Sequence, residues 1–129
     1  MRVVRQRADW DCAVAALATL TGVAYATIAA VVEQVAPRHH GLYNREVVEV
    51  AAGLQLPLSP TRSFDRDRSS GILRVHWPHR SARGKASPGG HFVVLDRGLI
   101  HDPHDGTRTP WRDYASRHSA RLCTLLRVG

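Results

Sequence analysis

The chain has 129 residues, enough for one compact core and too few for two ordinary domains. Its hydrophobic fraction of 43% and charged fraction of 22% are those of a globular protein, and no apolar run reaches membrane-spanning length. A net charge of +7 favours acidic partners. The sequence has no aromatic stacking repeats, zinc-finger spacing or glycine-rich phosphate loop, which argues against nucleic acid as the partner.

The opening stretch MRVVRQRADW lacks the apolar core of a secretory signal peptide. Two cysteines, Cys12 and Cys123, do not make a disulfide framework. Both thiols are therefore expected free, in a reducing cytoplasm, with no membrane partner.

Residues 12–21 read as a helix that is apolar or small almost all round, which implies burial on every side. Asp11 is its expected N-cap and Gly22 its stop. A second helix is expected over 25–36, where Ile28, Val31, Val32 and Val35 repeat at helical spacing before Pro37. A third starts at Asn44 as N-cap, turns Val47, Val48 and Ala51 inward, and stops at Gly53.

The period then changes. GILRVHW (71–77) and HFVVL (91–95) read as strands, rich in β-branched and aromatic residues. LDRGL predicts a three-residue hairpin loop, with Asp96-Arg97 in a type I turn and Gly98 left-handed, returning through 99–102. ARLCTLLRV (120–128) is expected as a last strand that closes the sheet. Segments 59–71 and 78–90 are polar and irregular. Helices first and an antiparallel sheet second define an α+β fold, expected as a single domain over 1–129.

One question is what Cys12 does at the join between ADWDC and the helix that follows. Unpaired N–H groups and the macrodipole at a helix start favour a thiolate. A nucleophile also needs a base, and His91 opens a strand. The base needs an orienter, and Asp102 ends the paired strand of the same hairpin, so the two share its open end. Oxyanion donors are available in the backbone N–H of Cys12 and the side-chain amide of Gln6.

This order of Gln, Cys at a helix start, His opening a strand and Asp resembles the papain-like cysteine peptidases. Q-x5-C-A-V-A-A-L, GGHFVVL and IHDP most resemble the small peptidase-type domains of the bacteriocin-leader-processing family, over essentially the whole chain. The resemblance implies Cys12 as nucleophile, His91 as general base and acid, Asp102 as orienter and Gln6 as oxyanion donor. Ala13 stands where that family usually has Gly, and the short His91–Asp102 interval implies a tight hairpin. No transporter domain is expected to follow, so that family's leader substrate is not carried over. The expected activity is hydrolysis of a peptide or isopeptide amide in a peptide or protein substrate, without a cofactor. A transamidase or deamidase using the same residues, or a non-catalytic binding module of the same fold, are the alternatives.

Blander readings stand beside these. Cys12 alone would read as a core thiol, and Cys123 is read as structural. Trp10 and Gly90 flank the nucleophile and the base and are the candidate substrate-binding residues, although Trp10 also suits a cover for the helix end. His101, His104 and Asp105 around Asp102 raise a metal site, but a turn at Pro103 and Gly106 explains the segment, and no metal ligands are assigned. His39-His40 reads as an exposed loop. Asp9 and Asp11 oppose a thiolate and read as caps. Trp77, Trp111 and Tyr114 are read as packing. The loop WPHRSARGKASPGG before His91 carries Arg80, Arg83 and Lys85, and is either a solvated connector or a dock for an acidic substrate segment.

Overall fold

A computed structural model describes residues 1–8, 10–37, 41–77 and 90–128. Three helices come first: α1 (Cys12–Thr21), α2 (Tyr25–Val35) and α3 (Asn44–Gly53). After them come β1 (Leu58–Thr61), β2 (Ser70–His76), β3 (Gly90–Asp96), β4 (Leu99–Asp102), β5 (Thr107–Pro110), α4 (Trp111–His118) and β6 (Arg121–Val128). The strands form one antiparallel sheet in the order β1-β6-β2-β3-β4-β5. This is the α+β architecture expected, with the N-terminal helices packed on the sheet. His39-His40, Asp9 and the basic part of the 77–90 loop lie outside the described residues.

The sheet is buried on both faces. α1, α2 and α3 cover Ile72, Phe92, Val94 and Leu126. Leu73, Val75, Val93, Leu95 and Leu125 face the other way, against Tyr114 of α4 and Trp77. α1 is buried from Cys12 to Thr19, and its alanines let it lie close on β3. Gly22 ends it in the left-handed conformation at φ 74°, as expected.

Several expectations need correction. β6 does not close the sheet: it lies inside it, because β1 pairs along its outer side. β1 is a four-residue edge strand containing Pro60, and a proline there disguises a strand as a loop. The hairpin between β3 and β4 has a two-residue loop, since Asp96 pairs with Leu99. Arg97 and Gly98 both take positive φ, 46° and 93°, the signature of a type I′ turn whose twist matches the strands. Tyr43, not Asn44, occupies the N-cap of α3, and its N–H donates to Glu46 Oε1 at 2.9 Å. Val47 and Ala51 are buried as read, together with Val50, while Val48 is half-buried.

Two further elements were not foreseen. β5 is short and polar and forms against β4. α4 shows its period only when a histidine is counted on the inner face: Trp111, Tyr114, Ala115 and His118 are its covered positions, at helical spacing.

Candidate active site

Cys12 is the first residue of α1 and only 8% exposed. Its sulfur receives a hydrogen bond from the backbone N–H of Phe92 and shares another with the His91 ring. Burial pushes the thiol up, but the His91 hydrogen bond and charge, with the Phe92 N–H, outweigh it. The thiol is held below its ordinary value, against a smaller opposing push from Asp11. The helix start adds to this stabilisation of the anion.

His91 and Asp102 meet because of the hairpin register. Val94 faces His101, so His91 and Asp102 fall on one face as diagonal neighbours near the open end. His91 Nε2 lies 2.7 Å from Asp102 Oδ1, with both side chains buried. The ring's other nitrogen, Nδ1, is left for the sulfur. Burial pulls the imidazole down, but the Asp102 hydrogen bond and then the Cys12 hydrogen bond and charge raise it to about 9. Asp102 moves the other way: burial alone would raise it, and His91, the His104 N–H and Tyr114 hold it below the usual carboxylate value.

The far side of Asp102 carries two residues that the sequence reading assigned to packing. Tyr114 is fully buried, and its hydroxyl donates to Asp102 Oδ2 at 3.1 Å. Trp77 Nε1 in turn donates to the Tyr114 hydroxyl oxygen at 3.1 Å. The same indole covers the His91 ring at 4.5 Å between centroids, stacks on His118 at 4.8 Å and meets the edge of His104 at 5.6 Å. An aromatic lid of this kind keeps water off the imidazole–carboxylate bond. The helical spacing of Tyr114 and His118 was the signal that could have placed α4 over the site.

Gln6 is tied in by its backbone, whose N–H donates to Pro103 O at 2.8 Å, next to Asp102. One side-chain N–H goes to Ala8 O at 2.8 Å, and Oε1 is buried without a partner. Asp11 stands at the N-cap position, and its carbonyl accepts the first helical bond from Ala15. Its side chain does not cap α1. It turns back to accept the N–H groups of Arg7 at 2.8 Å and Ala8 at 2.9 Å, and the Tyr25 hydroxyl at 2.5 Å. The carboxylate is spent on the segment leading to the helix, so no oxygen is left for the helix amides. Trp10 lies toward α2, lining a cleft of about 260 Å³ with Val14, Ala29 and Val32. Gly90 opens β3 opposite His76 and is half-buried.

His101 points away from the site, since its neighbour Asp102 takes the opposite face. It is buried with both ring nitrogens unpartnered, and burial pushes its pKa down. Asp105 Oδ1 accepts both the N–H and the hydroxyl of Thr107, and the turn built there accounts for it. Among the described residues no three His, Cys, Asp or Glu side chains converge in a group that could hold a metal. Cys123 is half-buried on β6, and its thiol donates to Arg121 O at 3.5 Å.

The helix-start thiol, the imidazole and the buried carboxylate follow one another along this α+β fold in the order Cys12, His91 and Asp102. Two solved structures share the fold. The peptidase domain of Streptococcus ComA, a bi-functional ABC transporter involved in a quorum-sensing pathway, matches with a TM-score of 0.60 and 16% identity, over 95% of this chain and 97% of that one. A double-glycine-motif protease from an AMS/PCAT transporter, solved in complex with the leader peptide, matches with a TM-score of 0.61 and 17% identity, over 98% and 91%. At such identity the likeness establishes the fold. No protein-family model matches the sequence, and no curated protein matches it.

Proposed function

We propose that the protein is a thiol hydrolase that cleaves an amide bond in a peptide or protein. One observation carries this reading: a single buried imidazole bonds Asp102 through Nε2 at 2.7 Å and the sulfur of a helix-start cysteine through its other side. Structural cysteines do not need such a partner. A Cys12 thiolate beside a protonated His91 is a ground-state ion pair ready for attack.

In this mechanism the thiolate adds to the carbonyl carbon, and the negative charge moves onto the carbonyl oxygen. The Cys12 N–H and the uncommitted N–H of the Gln6 amide are the donors assigned to it. His91 gives its proton to the leaving nitrogen, the C–N bond breaks and a thioester remains. Water then attacks the thioester, His91 takes its proton, and the acid product leaves with the thiolate restored. Asp102 holds the ring by its Nε2 so that Nδ1 faces the sulfur throughout. Gly90, next to His91 in the chain, and Trp10, two residues before Cys12, are the residues assigned to substrate contact. The two structural relatives are named as a peptidase and a protease, one of them with a peptide bound, and a peptide amide is the matching substrate class here. Because both thiols are free, a reducing cytoplasm suits the chemistry.

The test is intact mass after a brief exposure to a peptide electrophile. Cys12 should label faster than a free thiol, with Cys123 unlabelled over the same time. Labelling of Cys12 at or below the free-thiol rate would sink the proposal. Analysis of cleaved products in the presence and absence of added amine separates hydrolysis from transfer.

A further inference from the structure

We propose that the cleft at the head of α3 is a substrate subsite for a carboxylate, a reading that rests on the thiol-hydrolase function and names its substrate preference. The cleft, of about 360 Å³, is lined by Tyr43, Asn44, Arg45 and Arg74. A second cleft of about 310 Å³ continues from Asn44 past Pro60, Thr61, Arg62 and Thr124. Among the described residues three arginines line this path and no carboxylate does. The nearby acid, Glu46, is occupied at the base of the helix by the Tyr43 N–H.

Register places Arg74, on the wall of this cleft, across from the residue whose N–H holds the Cys12 sulfur. Arg74 pairs with Phe92 across β2 and β3, and the Phe92 N–H is the one that reaches Cys12. Ile72 and Phe92, on the same face, lie under the helices, while Arg74 stands where that cover ends and is half-buried. Its guanidinium lies over the Phe92 ring at 5.3 Å, and that of Arg45 over the Tyr43 ring at 5.4 Å. Ring faces hold both cations in place without neutralising them. Among the described residues neither arginine has a carboxylate within ion-pair distance. A half-buried guanidinium without a counter-ion, one strand from the nucleophile, suits an acidic side chain of an extended substrate close to the scissile bond.

The experiment uses short peptide ketone electrophiles that are identical except for Glu, Gln or Lys at each position before the reactive group. At one position Glu should label Cys12 about tenfold faster than Gln, the scale of one charge-assisted hydrogen bond. The advantage should shrink as salt rises. Arg74→Ala and Arg45→Ala should each reduce it, and Arg74→Glu should turn the preference toward Lys, while the Gln probe keeps its rate in every variant. That unchanged rate shows that the variants are folded. Equal Glu and Gln rates in the wild type, or a Glu preference that survives both arginine substitutions, overturn the subsite. Failure of every probe to label Cys12 faster than a free thiol instead overturns the hydrolase reading, and the subsite with it.

Discussion

Two buried carboxylates flank the thiol, and their environments are closely alike. Asp11 and Asp102 are both fully buried, both accept backbone N–H groups, and both receive a tyrosine hydroxyl. They differ in one neighbour. Asp102 faces the His91 ring, whereas among the described residues Asp11 is bonded by the chain that leads into α1 and by the Tyr25 hydroxyl on α2, with Arg7 over that tyrosine ring at 3.9 Å. Burial and a tyrosine partner therefore do not mark a catalytic carboxylate. In the proposed mechanism the imidazole does, because it couples the charge to a proton that moves. Asp11 is a latch: it fixes residues 7 and 8, and through them the position of Gln6.

The sharpest break between the two sides is chemical. Cys12→Ala should abolish turnover while leaving the thermal transition in place, and His91→Ala should be nearly as damaging, a loss of 10³-fold or more, roughly the scale for triad members. Loss of the thermal transition in Cys12→Ala, with turnover persisting in the folded fraction, would contradict the nucleophile assignment. Gln6→Ala should lower kcat by about 10²-fold, the scale of one oxyanion donor, and an unchanged rate would mean that its amide serves only Ala8.

The two aspartates should then separate by readout. Rate against pH should be bell-shaped for the coupled pair. Activity falls with acid as the Cys12 thiolate is protonated, below the ordinary thiol value, and falls with alkali through about 9 as His91 loses the proton the leaving amine needs. Asp102→Asn removes the charge that raises His91, so the alkaline limb should move to lower pH, with a smaller rate loss than in His91→Ala. Asp11→Ala should leave the alkaline limb alone and cost about 3 kcal/mol in urea unfolding, because three donors lose a buried acceptor. If Asp11→Ala moves the limb, the latch reading fails.

The smallest contrast lies in the tyrosines. Tyr25→Phe and Tyr114→Phe should each cost about 1 kcal/mol of stability. Only Tyr114→Phe should shift the alkaline limb, upward, since Asp102 loses a donor and pulls harder on the imidazolium. Identical pH profiles for the two variants would reduce Tyr114 to packing.

Much of this was legible in the sequence for local reasons. α1, its Gly22 stop and the β3–β4 strands follow from apolar period and turn chemistry, which act within a few residues. Cys12, His91 and Asp102 could be singled out because each sits at an element boundary that the period itself locates. The edge strand with Pro60, the two-residue turn at Arg97-Gly98 and α4 were hidden. Their conformations are set by partners distant in sequence: β6 for β1, the paired strands for the turn, and the sheet face for α4.

The sequence by itself determined the three leading helices, the strands around the β3–β4 hairpin and where Cys12, His91 and Asp102 stand on them, because capping, periodicity and turn propensity are properties of short segments. The tertiary structure decided which of those residues share charge. Asp11 looked like a helix cap and became a latch, since the Arg7, Ala8 and Tyr25 donors reach it first. Tyr114 and Trp77 looked like packing and became the far side of Asp102, since α4 folds onto that face of the sheet. A buried polar group takes whatever partner the packing brings within about 3 Å, and no short segment encodes that partner.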